Sequence, residues 1–485
     1  HLTFRSLIGR KHRSMETATL GKGKLFGPAS FYKKALLIAL PVMLQMLIQN
    51  MVSLIDNFMV SGLGDVKMSG VNISGQILFV FMVLLNTICT AGGIFMSQYY
   101  GAGDKRGMRQ ALSFKAVLAA AAIVLYLLVC MEFPRQILSL MVVGNSQADA
   151  ILDEAVKYMF LMGFNGIPMA ISTICSSSLR EIGRVRTPLF ISVIATLVNT
   201  FFNWVLIYGN LGAPRLEVQG AAIATIIARL TEMTMFLIFI AVKRPPFSAT
   251  PKELVSVDFP LFFRMLKKGS MVLGSEMLWV ISETVTTALY NGRGGADVVS
   301  GMAASFAIAN LFFVAFSGIT TATGVILGST LGSGELDKAR QEKRWLMTAG
   351  VVFGFFMIFV GLLTVPLIPV VFGHLSASAQ SITRRMIVLM SLFMPPWVYI
   401  NVQLAVSRAG GDTAMGLWVD ATTTLLMIIP GIFLVARYTT IGPVAMYGMV
   451  KAVDFVKITI AHFMLKRERW VRNLTDIVQP VKTTE

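Results

Sequence analysis

Apolar residues in this chain run in long blocks, and the polar ones collect between the blocks instead of alternating with them. Crossing a bilayer as a helix takes at least about 18 apolar residues. Such stretches can be drawn twelve times, at 35–61, 70–98, 112–133, 156–179, 187–208, 220–242, 270–291, 298–331, 345–373, 384–407, 414–436 and 443–465. Period-two alternation is absent, which argues against a β-barrel, and helices satisfy their own backbone hydrogen bonds in lipid. The pattern predicts an all-α membrane protein with twelve transmembrane helices.

The two halves echo each other. Gly64 to Gln110 aligns without a gap onto Gly295 to Gln341, and 15 of the 47 positions are identical. Gly93 falls on Gly324, Gly101 and Gly103 on Gly332 and Gly334, and Arg109-Gln110 on Arg340-Gln341. An internal repeat with six spans per half implies two pseudo-symmetric six-helix lobes, related by an axis along the membrane normal, as in secondary transporters. The expected layout is a basic N-terminal segment at 1–34, an N-lobe at 35–242, a linker at 243–269, a C-lobe at 270–465 and a tail at 466–485. Pro245-Pro246, Pro251 and Pro260 punctuate the linker.

Composition agrees: 55% of residues are hydrophobic and 14% charged, against roughly 25% charged in a soluble domain. The net charge of +17 is unevenly distributed. With both termini in the cytoplasm, about 30 Lys and Arg lie on that side and about 8 on the other, which is the positive-inside rule. The charge therefore orients the chain in a cell (inner) membrane and implies no nucleic-acid partner. The first 30 residues lack the apolar core of a signal peptide, and Met15 is a candidate initiator. Three cysteines and four histidines are scattered, so neither a disulfide framework nor a zinc site is expected. No phosphate-binding loop appears, and Gly101 to Gly107 lacks the strand-turn-helix setting of a dinucleotide site. No cofactor and no enzymatic constellation are expected. Energy for uphill transport would then come from an ion gradient.

Ionisable and polar groups inside the spans are the candidates, because each is costly in lipid unless paired or hydrated. Asp56 lies deep in the first span, and Gln45 and Gln49 share its helix face. A carboxylate there can bind a cation such as Na⁺ or take a proton. Asn199 and Asn203 share a face of the fifth span and could add neutral oxygens. Glu276 and Glu283 share a face of the seventh, and under the repeat Glu276 takes the position of Gln45. Asp420 in the eleventh span is acidic and expected to face inward. Arg229 with Glu232, and Lys451 with Asp454 and Lys457, are spaced for local ion pairs, and Lys115 is expected to snorkel to the nearer surface. Met43, Met46 and Met277 lie near the polar positions and suit an adaptable binding surface.

Several segments together resemble the MATE (multidrug and toxin extrusion) family, in its prokaryotic form. They are Ala39-Leu40-Pro41 through Gln45 to Asp56, Ala91-Gly92-Gly93 to Gly103, Leu179 to Arg184, Gln219 to Thr225, and Arg408 to Thr413. The resemblance covers nearly all of 35–465. It implies two lobes in a V that export amphipathic, often cationic organic compounds in exchange for H⁺ or Na⁺. It also implies an N-lobe cation site to which Asp56, Asn199 and Thr225 correspond, with Asn203 where those relatives carry an Asp. Glu276 matches a helix-7 Glu of other members, and their helix-10 acid would fall near Trp397. The expected partners are a small organic substrate and membrane lipid, and a monomer is expected. The alternative is a flippase for lipid-linked precursors, which should line its cavity with several Arg or Lys. Here the intramembrane basic residues read as few and mostly locally paired.

Overall fold

The structure is a computed structural model that describes residues 25–141, 147–373 and 375–475. Met15, most of the N-terminal segment and half of the tail lie outside the described residues. Among those residues the secondary structure is helical, and twelve spans can be followed. Eight are single long apolar stretches: α1 Ala29–Ser61, α2 Asp65–Ala102, α3 Lys105–Glu132, α5 Arg186–Tyr208, α6 Glu217–Lys243, α8 Ala296–Gly332, α9 Leu336–Val371 and α11 Thr413–Tyr438. Two are bent pairs, α4 (Ala148–Gly163 and Gly166–Glu181, 54°) and α10 (Ala377–Leu392 and Met394–Ala409, 50°). The last two, α7 Phe259–Asn291 and α12 Pro443–Lys466, are long enough to span but carry several charged residues.

The bends have a chemical cause. Pro168 follows the break in α4, and Pro395-Pro396 follow the break in α10. Proline lacks the amide donor and its ring clashes with the preceding turn, so the helix kinks there. One kinked span therefore sits at the fourth position of each lobe.

The repeat is visible in three dimensions. Both α2 and α8 begin after a glycine, Gly64 and Gly295. The turns beyond them place Gly103 (φ 71°) and Gly334 (φ 80°) in the left-handed region that favours glycine. The two helices cross at their ends, and the crossing is reciprocal. A Cβ on Gly101 would overlap the carbonyl of Ser329, and one on Gly332 would overlap that of Gln98. Only glycine lets the backbones approach so closely.

Contacts between the lobes run from this crossing up to the middle of the membrane helices. A Cβ on Gly269 of α7 would lie 2.8 Å from Ala91 of α2, Gly318 of α8 packs on Ala39 and Met43 of α1, and Asn50 donates to the Asn310 carbonyl at 3.5 Å. Phe31, Ile38, Ala39 and Val42 of α1 accordingly belong to the C-lobe core. The chain beyond α12 completes the seal on the side of the basic loops. Trp470 is buried in the C-lobe core, while Leu474 joins a cluster of Phe114 of the N-lobe, Phe247 of the linker and Leu261 at the start of α7. Gln98 of α2 ties the junction, donating to the Ala409 (2.8 Å) and Arg472 (3.2 Å) carbonyls and accepting from the Leu474 amide (2.7 Å).

Candidate cation cluster and central cavity

Two polar regions result, one inside the N-lobe and one between the lobes. In the first, α1, α5 and α6 bring together all four residues of the expected cation cluster. Asn203 donates to the Asp56 carboxylate at 2.5 Å and to Asn199 Oδ1 at 3.3 Å, and Asn199 donates to Thr225 Oγ1 at 3.5 Å. Asn199 and Asn203 are buried, and Asn203 Oδ1 has no partner. The four-residue spacing of the asparagines puts both on the face of α5 that meets Asp56. One carboxylate with amide and hydroxyl oxygens suits a hard cation or a proton. Arg229 and Glu232 of α6 pair at 2.6 Å, at the spacing their sequence suggests.

The stripe of Gln45, Gln49 and Asp56 does not act as one unit. Gln45 is 3% exposed and donates to Ser192 at 2.9 Å and to Ser176 at 3.5 Å, inside the N-lobe. It is absent from the cavity wall, as is Gln49. The expected symmetry of Gln45 and Glu276 on a shared path therefore does not hold in the geometry: Glu276 faces the cavity and Gln45 packs against its own lobe.

The cavity between the lobes measures about 580 Å³, within the range of roughly 300–1,000 Å³ typical of sites for drug-sized ligands. Glu276, Glu283 and Asp420 all line it, and each meets a base. Glu276 pairs with Arg408 at 3.1 Å, Glu283 with Lys451 at 3.6 Å and Asp420 with Lys457 at 3.1 Å, Ser275 also donating to Asp420. The local pairing expected along α12 is thus replaced by pairing across helices. The reason is that α12 packs against α7 and α11, whose acids stand closer to the two lysine ammonium groups than Asp454 does. Asp454 Oδ2 is left buried and without a partner. Lys451 also lies 4.4 Å from the Trp397 ring and 5.3 Å from that of Tyr447, so aromatic faces hold it on two sides.

Four basic side chains, Arg180, Arg408, Lys451 and Lys457, line the cavity. That overturns the expectation of few basic groups there. Arg180 and Arg408 read as loop residues because each sits at the end of its span, yet both point inward. Lys115 corrects another expectation. It does not snorkel: it is fully buried, 2.5 Å from Glu181 and within reach of Ser178 (3.2 Å) and Ser177 (3.4 Å). Gly92 and Gly93 of α2 make the room. A Cβ on Gly92 would lie 2.8 Å from Lys115 Cε, and one on Gly93 would overlap the Glu181 carboxylate. The glycine pair beside an intramembrane lysine was the available signal. Of the methionines, Met46 lines the cavity, Met43 packs against Gly318 and Met277 is partly exposed.

Known proteins share this architecture. A Vibrio cholerae MATE transporter, VcmN, solved as a mutant, superposes with a TM-score of 0.81 at 18% identity over 91% of this chain and 99% of that one. The outward-facing conformation of a multidrug resistance MATE family transporter gives 0.79 at 18% identity, covering 92% and 97%. In sequence, a probable multidrug resistance protein NorM of Thermotoga maritima is 24% identical over 314 residues, 62% of this chain. The match spans 64% of that relative's length, just under two thirds. The MatE family model matches residues 41–205 and 272–433, one block in each lobe. With most of both lobes accounted for by that model, the chain belongs to the MATE family of membrane transporters.

Proposed function

We propose that this chain is a secondary antiporter that exports amphipathic organic compounds bearing a cationic group, in exchange for an ion, by alternating access of its two lobes. The basic loops and both termini face the cytoplasm of a cell membrane, and a monomer in lipid suffices without a resident cofactor. The observation that carries the reading is the separation of two polar regions. The cluster of Asp56, Asn199, Asn203 and Thr225 shares no residue with the lining of the central cavity, so an ion and a cargo can be held at different places in one lobe pair. The relatives named for multidrug resistance support the cargo class.

The coupling ion is a proton in this reading. Asn203 stands where a second carboxylate would strengthen Na⁺ binding, and a lone partly buried acid is suited to exchange a proton. The test is dye efflux from proteoliposomes under separately imposed pH and Na⁺ gradients. A pH gradient should drive efflux, and Asp56→Asn should abolish it in a folded, inserted protein. Wild-type rates in that variant remove Asp56 from coupling, and efflux that follows Na⁺ alone at constant pH refutes the proton. The flippase reading is weaker because the cavity's four bases are matched by five acids, Glu181, Glu276, Glu283, Asp420 and Asp454, so over the whole lining a polyanionic headgroup meets no net positive charge.

A further inference from the structure

The charge on the cavity wall is divided between the lobes. On the C-lobe side four acids, Glu276, Glu283, Asp420 and Asp454, face three bases, Arg408, Lys451 and Lys457. Three of the acids are paired, and Asp454, 8% exposed, keeps Oδ2 unpartnered. This wall carries one acid in excess of its bases. On the N-lobe side Glu181 is already held by Lys115 and by Ser177, each at 2.5 Å. The Arg180 guanidinium, beside it on the same wall, makes no side-chain hydrogen bond or ion pair with a described residue. That wall carries one positive charge in excess. Uncompensated charges facing a partly desolvated cavity attract ligand groups of opposite sign more strongly than they would in water.

From this division we infer that the cavity selects amphoteric organic molecules, whose acidic group is held by Arg180 of the N-lobe and whose cationic group is drawn to Asp454 of the C-lobe. The inference rests on the export reading for its biological sense, but it concerns binding and is measured apart from transport. A molecule with both groups cancels both excess charges at once. A simple cation cancels only that of Asp454 and places like charge in the same cavity as Arg180. The guanidinium is suited to the task, since its planar fork takes a carboxylate or sulfonate through two parallel hydrogen bonds.

Rhodamine B and its ethyl ester supply the test. They share a delocalised cation and differ in one carboxylate, which the ester masks. Binding of each dye to the purified full chain is followed by fluorescence polarisation. The wild type should bind rhodamine B several-fold more tightly than the ester. Arg180→Gln should weaken rhodamine B about tenfold, the worth of one charge-assisted contact, and change the ester by less than about twofold. Retained ester binding also reports that the variant is folded. Arg180→Lys should recover part of the loss, and Asp454→Asn should weaken both dyes. A wild type that binds the ester as tightly as rhodamine B overturns the inference. Equal losses for both dyes in Arg180→Gln overturn it as well. Selective binding without gradient-driven movement in proteoliposomes would instead refute export and leave the selectivity standing.

Discussion

Lys115 shows how much a single side chain can ask of its neighbours. An ammonium with no exposure is tolerated because Glu181, Ser177 and Ser178 surround it, and removing one partner leaves an uncompensated charge. Glu181→Gln or Lys115→Met alone should therefore destabilise the protein by about 3–5 kcal/mol. The double variant should recover much of that loss, as thermal unfolding in detergent would measure through a double-mutant cycle. At the other polar region, Asn203→Asp puts a second acid against Asp56, where their present contact is 2.5 Å. That variant should gain Na⁺-dependent efflux if the side-chain charge sets ion preference, and unchanged ion dependence would refute the link. Periodicity put Asn199 and Asn203 on one face of α5, because helix spacing fixes a residue's angle, while it was the family resemblance that set that face against Asp56. Spacing could not say which acid meets which base. Lys451 and Asp454 are three residues apart, yet Lys451 pairs with Glu283 of another helix, a choice made by tertiary packing.

Among elements, the spans were legible in the chain because lipid demands length and apolarity, while the bends at Gly163–Gly166 and Leu392–Met394 were not read from hydropathy. The prolines that cause them are apolar enough to pass unnoticed in a long window. Glycines at the reciprocal crossing of α2 and α8 have a sharper consequence. Gly101→Ala or Gly332→Ala would force backbones apart at a point where no flexible side chain can yield. Either variant should lower thermal stability and increase labelling of a cysteine placed near the crossing, and labelling equal to the parent would show that the approach can relax. The linker docks differently, through polar contacts. Its helix Pro251–Val255 is capped by Thr250 and Glu253, and Arg109 holds Glu253 at 2.6 Å. The Thr250 amide keeps the Glu253 carboxyl below the usual glutamate range. A depressed folded pKa means the contribution is present above the unfolded value and is lost as pH falls through the folded one. The protection of the Thr250 amide relative to its intrinsic exchange rate should hence persist at neutral pH and fall once the Glu253 carboxyl is protonated. Glu253→Gln should remove that pH dependence.

At the scale of the whole molecule, the repeat foretold two lobes, but not that the last described residues would belong to both. Trp470 is 1% exposed, and its backbone fills the space that Gly410 leaves. Trp470→Ala should cost about 3–5 kcal/mol and admit aqueous thiol reagents from the basic side, whereas unchanged stability would mean the tail merely rests on the surface. The tail was illegible in advance because its short polar sequence has no periodicity, and its meaning comes only from what it bridges. There is also a matter of timing. A chain made from its N-terminus tends to fold domain by domain as it emerges, so α1 to α6 can assemble long before residue 474 exists. Gln98 must then wait, its side chain unmet, until both lobes have been synthesised, since two of its three partners lie at Arg472 and Leu474, beyond α12. A chain that stopped before Arg472 would leave Gln98 without two of the contacts that tie the floor of the two lobes together.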